Sequence, residues 1–170
     1  MELWAIQVTT GEEIRAAERI RERLPGVKIV IPMREIFEKR GFEWRSVIRT
    51  MLPGYIFAMC EIDRTRFWHG IRRANGVLHI LGGMEASDAE RLRILANGGA
   101  PWSASRCRNI GGRLEIYEGS LVGHEDWVVA FDRHRRRARI QLRIGEDIHT
   151  IDVGMVQDDG SQKGRRDSTL

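Results

Sequence analysis

Apolar residues alternate with other residues at the start of the chain and then recur at helical spacing. The alternation over residues 3–8 predicts a strand with one apolar face. Thr10, followed three residues later by Glu13, is typical of a capping box and predicts a helix over residues 11–24. A Pro-Gly pair directly after this range ends the helix.

The same pattern, read together with turn residues, predicts the remaining elements of the first half. It indicates strands over residues 27–33, 55–59 and 77–81, an extended arm or hairpin over 35–49 with its turn near Arg40-Gly41, a short helix capped by Asp63, and a helix opened by a second capping box, Ser87 with Glu90. Pro53-Gly54 places a tight bend directly before the strand that begins at Tyr55. This order favours an α+β domain, a mixed sheet with helices packed on it.

The chain changes character after residue 96. Small and polar residues over 97–108 are typical of a linker. Beyond them, short strands at close spacing favour a small β-barrel, with strands over 114–117, 127–131, 138–142 and 148–153. We therefore expect a domain over 1–96, a linker over 97–108, a barrel domain over 109–158 and a disordered tail over 159–170.

Positive charge is concentrated in one place. The net charge is only +4, with 28 basic and 24 acidic side chains, so the local arrangement matters more than the sum. Residues 133–143 carry six arginines in eleven positions and no acid. Arginine offers planar donors that match phosphate, so this run indicates a polyanionic partner. The alternative is a solvated surface without a ligand.

Features of membrane proteins and enzymes are sparse. No window approaches the roughly 18 apolar residues of a membrane span, and the first residues lack a secretory-signal pattern, so we expect a cytoplasmic protein without membrane contact. Cys60 and Cys107 lack the paired spacing of a zinc site and are expected to be reduced, structural thiols. His124-Glu125-Asp126 cannot converge on a metal from one strand, because neighbours point to opposite faces. We predict no enzymatic activity, no cofactor and no metal site.

The first half resembles the N-terminal domain of NusG-family transcription elongation factors. Five motifs carry the resemblance in order and spacing over about 95 residues: Trp4-Ala5-Ile6-Gln7-Val8, Ile31-Pro32-Met33-Arg34-Glu35, Leu52-Pro53-Gly54-Tyr55-Ile56-Phe57, Asn75-Gly76-Val77-Leu78 and Leu81-Gly82-Gly83.

The second half looks like the family's KOW domain, a small β-barrel, from Glu118-Gly119 to Asp132-Arg133. Two positions depart from the KOW pattern: Asp126 replaces a glycine, and Ser120 replaces a frequent proline. These departures put the general factor's usual partners of the barrel in doubt. The arginine run is most similar to the specialised LoaP paralogues, which are antiterminators of long biosynthetic operons.

The resemblance implies a surface for RNA polymerase on the first half. Leu52, Tyr55 and Ile56 are expected to form an apolar depression that grips the clamp helices; the alternative is that all three are ordinary core residues. Arg15 and Arg72 could pair with acids of the polymerase or be plain surface. Trp44 and Arg45, in the extended arm, could reach a nucleic-acid strand or the other polymerase pincer.

The resemblance also gives the arginine run an expected ligand, a hairpin of the nascent RNA. The candidate RNA contacts are Arg133, His134, Arg135, Arg136, Arg137 and Arg139, with Arg135, Arg137 and Arg139 on one stripe and Ile140 and Leu142 facing inward. The predicted function is that of a monomeric elongation or antitermination factor, which other elongation factors could join. A general adaptor that binds a termination helicase or ribosomal protein, and a free-standing ribosome- or RNA-binding module, are the alternatives.

Overall fold

Fourteen regular elements are distributed over the described part of the chain. The computed structural model describes residues 2–61 and 63–158. In chain order the elements are β1 (Glu2–Val8), α1 (Glu13–Arg23), β2 (Lys28–Val30), β3 (Met33–Arg40), β4 (Glu43–Thr50), β5 (Tyr55–Cys60), α2 (Arg64–Arg72), β6 (Val77–Gly83), α3 (Ala86–Ala96), β7 (Ser105–Ile110), β8 (Arg113–Glu118), β9 (Val128–Asp132), β10 (Arg137–Ile144) and β11 (Asp147–Gln157).

The strands form two sheets and one separate hairpin. The N-terminal sheet has the order β2-β5-β1-β6, and β3 pairs with β4 in a two-stranded hairpin. The C-terminal sheet has the order β8-β7-β11-β10-β9, with β7 and β11 parallel. The expected α+β architecture and the hairpin near Gly41 are confirmed. Strands β8 and β9 lie at the two edges of their sheet, so closure into a barrel stays a prediction.

Both faces of the N-terminal sheet are buried, because alternate residues of β1 face different layers. Trp4, Ile6 and Val8 pack with residues of α1 and α2 in one apolar cluster. Leu3 and Ala5 belong to a second cluster, which contains residues of α3 and of the C-terminal sheet. The second cluster therefore joins the two halves of the chain in one continuous core.

The segment predicted as a linker is packed between the two halves. Trp102 is 3% exposed, and its backbone exchanges hydrogen bonds with β3: its N–H donates to the carbonyl of Met33 at 2.8 Å, and Glu35 N–H donates to its carbonyl at 2.7 Å. The indole Nε1 donates to the carbonyl of Ile94 at 3.0 Å. Strand β7 begins at Ser105, inside the expected linker. The small residues around Trp102 give no periodic signal, which is why the sequence missed this packing.

The ends of the helices differ in part from the capping predictions. Asp63 caps α2 as expected, since its carboxylate accepts a hydrogen bond from Arg66 N–H at 3.0 Å. The two predicted capping boxes are wrong: α1 follows Glu12 and α3 follows Glu85, and neither of these residues makes a side-chain cap. Ser87 lies inside α3.

Glu13 has a different role from the one its spacing predicts. Its carboxylate is 5% exposed and accepts hydrogen bonds from the backbone N–H groups of Gly54 at 2.7 Å and Gly11 at 3.1 Å. Burial acts to raise the pKa of Glu13, but these backbone hydrogen bonds outweigh it and hold the pKa below the ordinary value of 4.5. An ionised carboxylate thus ties α1 to the Pro53-Gly54 bend.

Three further expectations concern the cysteines, the C-terminal tail and a membrane-spanning segment. Cys107 is fully buried, and burial raises the pKa of its thiol to about 11, in keeping with a structural role. The side chain of Cys60 and the expected disordered tail over 159–170 lie outside the described residues. Within residues 2–61 and 63–158, no helix has the length and apolar character needed to cross a bilayer.

Replacing Glu13 with Gln should lower the free energy of unfolding by about 1–3 kcal/mol at neutral pH, because the bonds to backbone N–H groups lose their charged acceptor. A carboxyl whose pKa is lower in the folded state than in the unfolded state stabilises the fold at pH values above the unfolded-state pKa. This contribution is lost as the pH falls through the folded-state pKa. The difference between wild type and variant should therefore be constant above about pH 5 and shrink below 4.5.

Urea unfolding over a pH series measures this difference, and Glu22→Gln, at an exposed position of α1, is the matched control. A wild-type advantage that stays the same down to acidic pH would contradict the role of the carboxylate charge.

Candidate functional site

The Pro53-Gly54 bend is fixed against the end of β1. Val8 N–H donates to the carbonyl of Gly54 at 2.8 Å, and Gly54 has a φ of +84°. A Cβ at this position would lie 3.0 Å from Thr10 Oγ1. The bend therefore requires glycine both for its left-handed backbone and for its close approach to the neighbouring loop.

The three residues expected to form one polymerase-binding depression are not brought together. Leu52 is 5% exposed and packs in the core shared with the C-terminal sheet. Ile56 is fully buried on the opposite side of the sheet, in the cluster beneath α1 and α2. Successive strand positions face opposite sides, so Tyr55 and Ile56 cannot share one surface. In this structure Leu52 and Ile56 are core residues, which was the alternative interpretation.

Tyr55 is half-buried and lies against the C-terminal sheet. Its ring meets the ring of His149, on β11, edge to face, with centroids 5.0 Å apart and an interplanar angle of 72°. The His149 Nε2 atom is buried without a hydrogen-bond partner among the described atoms. The face of β5 that carries Tyr55 is thus covered by the second half of the chain.

Arg15 and Arg72 lie on the other side of the N-terminal sheet. Both are exposed, Arg15 on α1 and Arg72 on α2. These helices pack over the face that contains Ile56, away from the contact between Tyr55 and His149. Arg15 Nη1 lies 2.9 Å from Glu12 Oε1. The two arginines are accessible, but the structure does not place them beside Tyr55.

The arginine run forms the turn between β9 and β10 and the first part of β10. Arg133, His134 and Arg135 are exposed in the turn. Asp132, at the end of β9, accepts a hydrogen bond from Arg135 N–H at 2.9 Å. This backbone hydrogen bond lowers the pKa of the Asp132 carboxyl, so the carboxylate remains ionised and fixes the start of the turn.

Arg136 closes the turn in a left-handed conformation and crosses to the hairpin. Its φ is +55°. Its guanidinium carbon lies 4.8 Å from the ring centre of Trp44 and 5.8 Å from that of Phe37. These are distances at which a cation is attracted to an aromatic face. Arg136 therefore contacts the β3–β4 hairpin instead of facing open solvent.

Arg137 and Arg139 share one face of β10, and Asp152 of β11 lies between them. Arg137 Nη1 is 3.8 Å from Asp152 Oδ2, and Arg139 Nε is 3.4 Å from Asp152 Oδ1. Arg137 also donates to the carbonyl of Phe37 at 3.3 Å. Ala138 and Ile140 lie on the opposite face of β10 and are buried in the core. The inward position of Ile140 is confirmed, as is that of Leu142, whereas the expected continuous stripe is interrupted because Arg135 belongs to the turn.

Arg34 brings a further cation to the contact between β3 and β11. It donates a hydrogen bond to the carbonyl of Asp152. Desolvation lowers the pKa of its guanidinium, Asp152 opposes this shift, and Arg137 adds to it. At Gly154 of β11 a Cβ would lie 2.6 Å from the carbonyl of Glu35. The hairpin and the C-terminal sheet therefore touch at backbone distance.

A cleft separates the hairpin from the arginine turn. We call it the arginine cleft; its walls are formed by Phe37, Glu38, Lys39, Trp44, Arg135, Arg137 and Asp152. The sequence indicates Trp44 and the arginines as separate candidate contacts, but it gives no signal for Phe37, Lys39 or Asp152. The cleft is made of segments about a hundred residues apart, so no local pattern reports it.

Groupings typical of a metal centre are not found in the described ranges. No cluster of three or more His, Cys, Asp or Glu side chains with metal-binding geometry occurs within residues 2–61 and 63–158. The arrangement of the site is one of cations, aromatic rings and apolar contacts, which is suited to binding macromolecules.

Comparisons with known proteins identify the family. The family model described as "NusG: Transcription termination factor nusG" matches residues 1–94, which is more than half of the 170 residues. The chain belongs to the NusG family. The resemblance of the first half to this family is thereby confirmed, while the narrower likeness to LoaP proteins stays a prediction.

Relatives extend the similarity into the second half. The chain is 25% identical over 156 residues to the "Transcription termination/antitermination protein NusG" of Vibrio vulnificus, covering 83% of this chain and 85% of that protein. It is 24% identical over 159 residues to the protein with the same description from Buchnera aphidicola, covering 83% and 86%. The solved structure "Domain interaction in Thermotoga maritima NusG" is similar over 90% of this chain and 93% of that chain, with a TM-score of 0.54 and 15% identity, a likeness of fold alone.

The left-handed backbone conformation of Arg136 can be tested by substitution. Arg136→Gly and Arg136→Ala both remove the contact with Trp44, but only glycine adopts a φ of +55° without strain. We expect the glycine variant to be more stable than the alanine variant by about 1 kcal/mol in urea unfolding.

The same pair of substitutions at Arg139, in the extended strand β10, is the matched control, and there the order should reverse because glycine weakens a strand interior. Equal stability of the two Arg136 variants would mean that the left-handed turn is not maintained in solution.

Proposed function

We propose that this chain is a non-catalytic transcription elongation or antitermination factor that binds RNA polymerase through its N-terminal part and nascent RNA through the arginine turn. The observation that carries the RNA assignment is the exposure of Arg133, His134 and Arg135 on one turn, with exposed Arg139 on the adjoining strand. Guanidinium groups grouped in this way match the phosphates of a polyanion. The similarity of the run to LoaP proteins supports a specialised, operon-directed role.

Tyr55 is our proposed centre of the surface that grips the polymerase clamp helices. A tyrosine that is half-buried combines apolar contact area with a polar tip, as anchors of protein interfaces do. Leu52 and Ile56 support it from the core, and exposed Arg15 and Arg72 provide cations on the helical side of the domain. Because His149 lies against Tyr55, binding through this residue requires the β10–β11 end of the C-terminal sheet to move away.

A second candidate function concerns exposed apolar residues at the β7–β8 edge of the C-terminal sheet. Ile110 and Leu114 flank the turn between these strands and are 53% and 41% exposed. Exposed apolar side chains of this kind can contact a protein partner. In this alternative the chain is a general adaptor, and the KOW-like part binds a termination helicase or a ribosomal protein instead of RNA.

Substitutions of Tyr55 and of His149 should have opposite effects on the affinity for RNA polymerase. Tyr55→Ala should weaken the affinity for core RNA polymerase by about tenfold or more, because it removes an interface anchor. His149→Ala should strengthen it by about two- to tenfold, because the aromatic pair that covers Tyr55, worth about 0.5–1.5 kcal/mol, is lost.

Surface-immobilised polymerase and the full chain provide the measurement, and Tyr117→Ala, at a partly exposed tyrosine of the edge strand β8, is the control. If neither substitution changes the affinity, Tyr55 does not belong to the docking surface.

Arg135 is the cleanest test of RNA binding, since its side chain is 74% exposed and makes one long contact with Asp132. Arg135→Ala should weaken binding of the full chain to RNA and reduce the slope of log affinity against log salt by about one unit, the loss of one phosphate contact. Arg113→Ala, on the far edge strand β8, should leave the slope unchanged.

An unchanged salt slope in the Arg135 variant would mean that the arginine run is a solvated surface without an RNA ligand. Binding of a helicase or ribosomal protein without RNA binding would favour the second candidate function.

A further inference from the structure

We propose that the arginine cleft is a binding site for an unpaired nucleotide of RNA, whose base stacks on Trp44 while its phosphates contact Arg135 and Lys39. This inference rests on the proposed RNA binding by the arginine turn and locates part of that binding on the other half of the chain. The β3–β4 hairpin and the C-terminal sheet together form the site, so it exists while the C-terminal sheet covers Tyr55, before the polymerase docks there.

The dimensions of the cleft fit a single nucleotide. It has a volume of about 570 Å³ and opens between the hairpin and the β9–β10 turn. Sites for small ligands in proteins commonly enclose about 300–1,000 Å³. The bases of a double helix are paired and stacked on one another, so only a base that is unpaired, in a loop or a single strand, can enter.

An aromatic platform lies on one wall. Trp44 is half-buried, and Arg136 lies 4.8 Å from the centre of its ring. The contact with Arg136 and the position of Trp44 within a paired strand hold the indole in place. Indole rings bind unpaired bases by stacking, and arginine planes can stack in the same layer. Because every base has an aromatic face, this contact would tolerate many sequences.

Cations that remain accessible lie on both sides of this platform. The carboxylates of the cleft are already engaged: Glu38 accepts two hydrogen bonds from Arg49, at 3.0 and 3.1 Å, and Asp152 lies between Arg137 and Arg139. Lys39 and Arg135 are exposed, on the hairpin and on the turn respectively. The cleft therefore presents net positive charge to a phosphate on either side of the stacked base.

Trp44 and Arg135 are expected to contact different parts of a nucleotide, and this difference distinguishes a nucleotide from other polyanions. Stacking on Trp44 contributes without releasing counterions, whereas contacts of Arg135 with phosphate release them. Removing the indole should thus lower the affinity at every salt concentration and leave the salt slope in place. Removing the guanidinium should change the slope.

The experiment uses the full chain and a fluorescein-labelled RNA hairpin with an open loop, followed by fluorescence anisotropy. Trp44→Ala should weaken binding by roughly 5- to 150-fold, which is the effect of removing a base-stacking aromatic, with no change in the salt slope. Trp44→Phe should retain most of the affinity. Trp68→Ala, 38% exposed on α2, should bind as the wild type does, and thermal unfolding of each variant establishes that it is folded.

Two competitors identify the occupant. The same RNA with its loop closed by a complementary strand should compete poorly, because its bases are paired, whereas single-stranded DNA of the loop sequence should compete, because stacking and phosphate contacts do not depend on the 2′-hydroxyl. Equal competition by the duplex would overturn an unpaired base as the occupant, and failure of the DNA to compete would overturn stacking and phosphate contact as the basis of binding.

The outcomes separate this inference from the proposed function. If the wild type binds the hairpin and Trp44→Ala binds it equally well, the cleft site is wrong while RNA binding by the arginine turn stands. If the wild type binds neither hairpin nor single strand, the proposed RNA-binding function itself is wrong.

Discussion

The burial of Trp102 is the constraint on which the arrangement of the two halves depends. Its indole is almost fully removed from water, and its backbone forms hydrogen bonds to β3 on both sides. A buried tryptophan contributes several kcal/mol of transfer free energy, at about 25 cal/mol for each Å² of apolar surface. Because Trp102 immediately precedes the C-terminal sheet, this anchoring positions β11 against the hairpin. The contact of Tyr55 with His149 and the arginine cleft both follow from that position.

Local patterns predicted an element correctly where the residue that carries the pattern binds no distant partner instead. Gly41 marks the hairpin turn, Asp63 caps α2, and alternation places β1 correctly. The first capping box failed because a carboxylate at the right spacing can bind elsewhere: the Glu13 side chain accepts a hydrogen bond from Gly54, which lies 41 positions away. No local pattern reports such a partner, and the same holds for Trp102, whose neighbours are small and polar.

The candidate site was predicted in its location but not in its contacts. The arginine run does lie at a turn and strand start, and Ile140 faces inward as its parity requires. The roles of individual arginines depend on residues distant in sequence, since Arg136 meets Trp44 and Arg137 meets Phe37. The expected single depression of Leu52, Tyr55 and Ile56 does not form, because Leu52 and Ile56 pack in different apolar clusters on opposite sides of β5.

The long pairing of β10 with β11 has a mechanical consequence. The ladder runs without a register shift from Arg137, opposite Gly154, to Ile144, opposite Asp147. At about 3.3 Å per residue this is a stiff ribbon of roughly 23 Å. The arginine turn lies at one end, and His149, opposite Leu142, lies toward the other. Because β10 and β11 are inner strands of the C-terminal sheet and pair without interruption, His149 and the guanidinium groups at the opposite end belong to one continuous hydrogen-bonded unit.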